Sequence, residues 1–184
     1  MNKSDAGNGD CLLKAAYEAA RFHGQQKRKD GKTPYINHPL EVAWILSSKG
    51  QIRDQDILAA ALLHDTLEDT EMTSDYLVRE FNPRIASYVA EVTDDKSLSS
   101  EERKSAQIEK APLLSSGARL IKIADKIANV KALTKEYPLG WDLERKRKYI
   151  LWAEMVIEKI RNTHEGLESL FRSTAEEVKK KLKE

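Results

Sequence analysis

The chain has 184 residues, 31 Lys+Arg against 30 Asp+Glu for a net charge of +1, and 40% hydrophobic residues. That composition supports one domain with its own core and excludes a wholly disordered chain; the balanced charge argues against a general nucleic-acid binder, which carries a basic excess. A single cysteine, Cys11, rules out an internal disulfide framework, a CxxC redox pair and a cysteine-rich zinc site.

In chain order, MNKSDAGNGD has no apolar stretch of the signal-peptide kind, so residues 1–9 read as a flexible tail and 10–184 as one domain. Leu12, Leu13, Ala16, Tyr17 and Ala20 form the first helical stripe, with Asp10 as its expected N-cap. A polar loop, Gly24 to Thr33, carries Lys27, Arg28, Lys29 and Lys32. Pro39 suits the start of a second helix, whose apolar face is Val42, Ala43, Ile45 and Leu46. Asp54 is placed to cap a third, with Ile57, Leu58, Ala61 and Leu62 as its stripe. The run Ile57 to Leu63 is the longest apolar one, far short of the roughly 20 residues of a bilayer span.

A short helix is expected from Thr73 to Phe81, and Asn82-Pro83 starts another through Val92. Ser99 and Glu102 have capping-box spacing for a helix stopping near Pro112. Leu120, Ile123, Ala124, Ile127 and Val130 mark a longer one ending before Pro138. Asp142 caps a helix to about Asn162, with Tyr149, Ala153, Val156 and Ile160 facing inward, and Leu167 to Leu182 form the last. The Lys-rich end of that helix suits the negative pole of its dipole. The pattern predicts an all-α, single compact multi-helix domain of eight or nine helices.

The pattern breaks in the third helix. Its apolar stripe runs on at helical spacing into His64, Asp65, Glu68 and Asp69. Unpaired burial of an imidazole and three carboxylates is very costly, and a bound divalent cation resolves the conflict; a polar surface turn is the simpler alternative. His38, just before Pro39, and Asp125, inside the stripe between Ile121 and Ala128, complete two nitrogens and two carboxylates on three helices. Mixed N/O ligation without thiolate suits Mn²⁺, Fe²⁺ or Zn²⁺.

His38…His64-Asp65…Asp125 resembles the H…HD…D pattern of HD-domain metal-dependent phosphohydrolases. RKDGKTPYINHPLEVAWIL, LLHDTLEDT, EVTDDKSL and LIKIADKIANVKAL narrow this to the hydrolase domain of RelA/SpoT proteins, and to its stand-alone small alarmone hydrolases of the metazoan SpoT-homologue type. The similarity runs from about Leu12 to Trp152. It implies a Mn²⁺-dependent enzyme that removes the 3′-pyrophosphate of guanosine tetra- or pentaphosphate, with water activated at the metal as nucleophile. By motif position it implies His38, His64, Asp65 and Asp125 as metal ligands and Glu68 and Asp69 as the catalytic acidic pair. Arg28 and Lys29 match the basic pair beside the substrate, Asn129 a polar residue after the last ligand, and Lys96, Arg145 and Tyr149 residues for phosphate and nucleotide contacts. Ile127 and Ala128 depart from the family's usual leucine and aromatic, a difference expected to bear on the nucleoside pocket.

GxxxxGKS, GxGxxG and GxSxG are absent, so a P-loop NTPase, a Rossmann oxidoreductase and an α/β-hydrolase lack their defining loops. The alternatives to an alarmone hydrolase are an HD-type phosphohydrolase acting on another nucleotide, such as the 2′-phosphate of NADPH, and a catalytically silent helical sensor of metal or nucleotide. The expected partner is a small nucleotide, with no nucleic acid and no membrane, and the expected location cytoplasmic; oligomeric state is not legible. The hydrolase pattern occupies nearly all of the chain, which implies an enzyme that degrades the alarmone without making it.

Overall fold

A computed structural model describes residues 6–134 and 138–183. It comprises α1 (Ala6–His23), α2 (Asn37–Trp44), α3 (Gln55–Leu63), α4 (Thr66–Asp69), α5 (Ser74–Glu80), α6 (Pro83–Val92), α7 (Ser100–Lys110), α8 (Ser116–Ala132), α9 (Leu143–Lys159) and α10 (Glu165–Lys181). A π-helical turn, Ile45–Lys49, extends α2, and a 3₁₀ turn, Ala111–Leu113, extends α7 at Pro112. Among the described residues the one extended pairing is an isolated bridge between Lys27 and Pro34, which closes the basic loop.

Most helix starts follow local chemistry. Asp54 accepts from the Asp56 and Ile57 amides at 3.0 and 3.4 Å, Asn82 from Ile85 at 2.9 Å ahead of Pro83, and Asp142 from Arg145 at 2.7 Å. Ser99 and Glu102 form a reciprocal capping box. Each such cap satisfies an amide that the helix itself cannot, typically for about 1 kcal/mol.

Three expectations are corrected. Asp10 lies inside α1, which takes in residues 6–9, whereas residues 1–5 of the expected tail fall outside the described residues. Pro39 is the third residue of α2, still within the first turn, where its missing N–H leaves no intrahelical bond unmade. The third helix does not run through to Asp69. It stops at Leu63, and α4 is a separate single turn. His64 Nδ1 reaches the Ala61 carbonyl at 2.9 Å and Thr66 Oγ1 donates to the Leu63 carbonyl at 2.6 Å, so side chains take carbonyls the helical ladder would otherwise use.

α3 is the centre of the molecule, packed against α1, α2, α6 and α8, and every residue from Ile57 to Leu63 is buried. The α6–α8 contact requires Gly117: a β-carbon there would lie 2.5 Å from the Tyr88 ring. That close approach seats α8 against the core and brings the middle of α8 to the end of α3, where the chain turns polar. No described helix is long and apolar enough to cross a membrane.

Candidate metal centre and its adjoining pocket

α2 presents His38, the break after α3 presents His64 and Asp65, and α8 presents Asp125. One donor atom each from His38, His64 and Asp65 lies within 4.8 Å of the others. Asp125 Oδ1 is 3.1 Å from His38 Nε2 and 3.9 Å from His64 Nε2; Asp65 Oδ2 is 3.6 and 3.0 Å from the same two nitrogens. Both imidazoles are buried.

These atoms fit a cation better than they fit each other. His64 Nδ1 is committed to the Ala61 carbonyl and so carries the proton of the neutral ring, leaving a buried Nε2 with no hydrogen-bond partner among the described residues, 3.0 Å from a carboxylate oxygen. A neutral ring then aims a lone pair at an anion; a proton or a metal ion relieves this. Burial opposes charging His64, but Asp65 and Asp125 outweigh it and raise its pKa to about 9. Burial dominates at His38 and holds its pKa down despite Asp125 and Asp65. Asp65 and Asp125 are pressed upward by burial, yet the cationic and hydrogen-bonding neighbours, His64 for Asp65 and Lys126 with His38 for Asp125, leave both well below the usual carboxylate range. Two nitrogens and two carboxylates without thiolate form a divalent-metal donor set of the non-structural kind.

A further layer fixes these donors. The Tyr35 hydroxyl donates to Asp65 Oδ2 at 2.8 Å and lies 3.2 Å from Asp69 Oδ2. Asn129 Nδ2 donates to Asp125 Oδ1 at 2.6 Å, Arg28 donates to Asn129 Oδ1 at 3.1 Å, and Lys126 reaches Asp125 Oδ2 at 3.1 Å. Partners of this kind set ligand orientation and basicity.

Glu68 and Asp69 stand on α4 beside the donors. Glu68 Oε2 accepts the Asp94 amide at 3.1 Å. Burial, then the Asp94, Asp65 and Asp69 carboxylates, raise the Glu68 pKa to about 7 against the opposing pull of that amide. Asp69 is instead paired with Lys96 and close to the Tyr35 hydroxyl.

The donors and both acids line a cavity of about 360 Å³, together with Lys29, Lys96, Asn129 and Tyr149. A larger cavity of about 940 Å³ shares Lys29, Glu68, Asp94 and Tyr149 with it and adds Trp141 and Arg145. Tyr149 sits between Trp141 and Trp152, with ring centroids 5.6 and 5.1 Å away. Arg145 lies over Trp141 at 4.5 Å, Lys29 over the same ring at 5.6 Å, and Lys126 over Trp152 at 4.4 Å. Tyr149 therefore belongs to an aromatic cluster at the cavity wall, and is half-buried rather than a simple core residue. Asn129, itself on the cavity wall, donates to Asp125, and Arg28 donates in turn to Asn129. Ile127 and Ala128 are buried in the core and are not among the residues lining the two cavities, so their departure from the family pattern falls on packing.

Sequence reasoning missed Tyr35, Trp141, Lys122 and Lys126. Tyr35 had a signal, its spacing of three from His38; the lysines had one too, since both interrupt the apolar stripe of α8 on either side of Asp125. Both lysines are buried, and Lys122 donates to the Val92 carbonyl at 3.0 Å. Trp141 had none, because its role depends on α9 folding back beside the basic loop.

Comparison with known proteins gives a consistent picture. Residues 15–153 match the family model described as HD domain. The mouse protein named guanosine-3′,5′-bis(diphosphate) 3′-pyrophosphohydrolase MESH1 is 46% identical over 167 residues, 90% of this chain and 93% of its own length. The human protein of that name is 48% identical over 158 residues, 85% of this chain and 88% of its own. A solved structure described as a metazoan orthologue of SpoT that hydrolyses ppGpp superposes with a TM-score of 0.88 at 40% identity, covering 96% of this chain and 97% of its own. A second, from Listeria monocytogenes, has a TM-score of 0.66 at 30% identity, covering 80% of this chain and 96% of its own.

Proposed function

This chain belongs to the HD domain family, among the stand-alone alarmone hydrolases of the metazoan SpoT type, and from that premise we propose that it is a metal-dependent guanosine-3′,5′-bis(diphosphate) 3′-pyrophosphohydrolase. Water is added across the bond between the 3′ oxygen and its phosphorus, giving GDP or GTP and diphosphate. The observation that carries this reading is a pair of cavities with shared lining residues, one holding the His38, His64, Asp65 and Asp125 cluster and an acid of raised pKa, the other walled by aromatic rings and cations.

In this reading His38, His64, Asp65 and Asp125 hold Mn²⁺, with Fe²⁺ or Zn²⁺ as the other metals the donor set accepts. A divalent ion there supplies Lewis acidity, neutralising phosphoryl charge and making water acidic near neutral pH. Glu68 takes the proton of the attacking water. A pKa of about 7 keeps a useful carboxylate fraction while retaining basicity, the compromise a general base needs. Asp69, already paired with Lys96 and near Tyr35, orients instead of accepting. Lys96, on the wall of the donor cavity, meets the reacting phosphates, where charge neutralisation and alignment carry phosphoryl transfer, while Lys29 and Arg145 hold the nucleotide's other phosphates. The Lys29 pKa is lowered, first by partial desolvation and then by Arg28 and Arg145, so an incoming phosphate relieves repulsion among these cations. Tyr149, flanked by Trp141, offers a stacking face to the base, and Arg28 and Asn129 brace Asp125 beside the substrate. The protein acts on a small nucleotide in the cytoplasm in this reading, with no nucleic-acid partner.

The test is a panel of ppGpp, pppGpp and NADPH against protein loaded with Mn²⁺, Fe²⁺ or Zn²⁺. Diphosphate release from the guanosine substrates with Mn²⁺ is expected. A dominant kcat/KM for phosphate release from NADPH overturns the substrate assignment, and ligand binding without turnover overturns the enzymatic one.

A further inference from the structure

His23 is a buried titratable residue at the end of α1 that the mechanism above leaves without a part. It is 2% exposed, and its Nδ1 is 2.9 Å from Gln26 Oε1. The same Gln26 amide group donates through Nε2 to the Asp69 backbone carbonyl at 2.6 Å, which fixes Oε1 toward the histidine and makes Nδ1 the donor. The His23 ring also lies against Tyr35, with centroids 4.7 Å apart and planes inclined by 31°. Tyr35 in turn places its hydroxyl between Asp65 Oδ2 and Asp69 Oδ2.

We infer that His23, Gln26 and Tyr35 form a positioning clamp that sets the acidic turn α4 against the metal donors. The clamp has two arms from one buried ring. Through Gln26 it ties down the main chain at Asp69; through Tyr35 it holds the Asp65 oxygen that faces both histidines. α4 is a single turn and has too few internal hydrogen bonds to fix its own orientation. Its anchorage to α1 therefore acts with the Glu68–Asp94 and Asp69–Lys96 contacts to set where Glu68 and Asp69 stand relative to Asp65. An error of about 1 Å in such an arrangement costs on the order of a hundredfold in rate. The inference rests on the hydrolase reading for its kinetic consequence, but not for its structural one.

The clamp is tested with Gln26→Leu, which keeps the volume and removes both hydrogen bonds, and Tyr35→Phe, which keeps the ring against His23 and removes the hydroxyl. Three quantities are read in each: kcat and KM for ppGpp with Mn²⁺, Mn²⁺ affinity from the paramagnetic signal of the free ion, and amide exchange over residues 66–70. Gln26→Leu should lower kcat by about tenfold to a hundredfold with KM little changed, leave Mn²⁺ affinity intact, and speed exchange in that turn alone. Tyr35→Phe should lower kcat similarly and weaken Mn²⁺ binding by about tenfold, because it loses its bond to a donor oxygen. Unchanged exchange over 66–70 in Gln26→Leu overturns the clamp whether or not the protein turns over ppGpp. So does a rise in KM alone, or a kcat loss that only parallels a global loss of thermal stability. A wild-type protein inactive on ppGpp would instead defeat the hydrolase reading, with exchange and Mn²⁺ affinity still deciding the clamp.

Discussion

The two ends of the cleft are built on opposite terms. At the metal end, His38 and His64 are buried, Asp65 and Asp125 are reached by neighbouring hydrogen-bond donors, and the backbone comes from helices at the centre of the core. At the aromatic end, Arg145 is exposed, Lys29 and Arg145 rest on Trp141, and the supports are a surface loop and the first turns of α9. Buried donors have low reorganisation cost and strong fields, as bond-breaking chemistry requires. Exposed cations over rings can follow a flexible nucleotide at modest energy, about 0.5–1 kcal/mol per contact. Rate should therefore depend on the first region and substrate affinity on the second.

The largest effect expected from breaking this division is at the donors. His64→Ala or Asp65→Ala should remove bound metal, read by elemental analysis of purified protein, and lower kcat by more than the about 10–100-fold typical of losing a supporting residue. A variant that keeps both metal and activity would unseat the donor assignment. Next comes Glu68→Gln, for which kcat should fall by about 10²–10⁴-fold with metal retained. Because the base acts deprotonated, wild-type kcat should rise with pH through about 7, and that limb should vanish in the variant.

A smaller effect sharpens the other side of the comparison. Arg145→Ala and Trp141→Ala should raise KM by about fivefold to thirtyfold while kcat stays within about twofold, the sign of binding shared equally by ground and transition states. A kcat loss without a KM change would place these residues with the chemistry instead.

The smallest effect is on the stability of the metal-free protein. His64 has a folded pKa of about 9 above its ordinary 6.5, so its contribution is complete below 6.5 and is lost as pH rises through about 9. Glu68, raised to about 7 from 4.5, disfavours its charged form in the fold and adds a loss in the same direction between those values. Asp65 and Asp125 are depressed, so their contribution is present above 3.8 and lost as pH falls below it. Metal-free protein should lose a few degrees of Tm between pH 6.5 and 9, on the order of 2–4 °C per kcal/mol for a chain of this size. Metal-loaded protein should show a flatter profile, since the ion takes the proton's place on His64. Equal slopes in the two forms would separate the donor cluster from this pH dependence.

Much of the fold was legible because helix starts are local events. Asp54, Asn82-Pro83, Ser99 with Glu102, and Asp142 each satisfy amides within three residues of themselves, and all cap as their spacing implies. The candidate donor cluster stood out in the sequence for a different reason: carboxylates and imidazoles on an apolar stripe conflict with burial, and the conflict shows in the residue types alone. The break at His64 did not, because it arises from His64 and Thr66 side chains taking main-chain carbonyls, which helical spacing does not reveal. Asp10 was misjudged because a capping residue type does not show whether the helix has already begun upstream.

By itself the sequence determined the all-helical class and most helix starts, which follow from periodicity and capping chemistry, and it singled out the candidate donors and acids as polar groups that clash with an apolar stripe. The tertiary structure alone decided that the Glu68 pKa is raised, because burial and then the Asp94, Asp65 and Asp69 carboxylates outweigh the Asp94 amide, and that Asp69 meets Lys96 and the Tyr35 hydroxyl. It also decided that Trp141 and Arg145 join Lys29 at one wall, and that His23 at the end of α1 lies behind Tyr35. These are contacts between segments far apart in the chain, and their energies depend on distances that only the packed helices define.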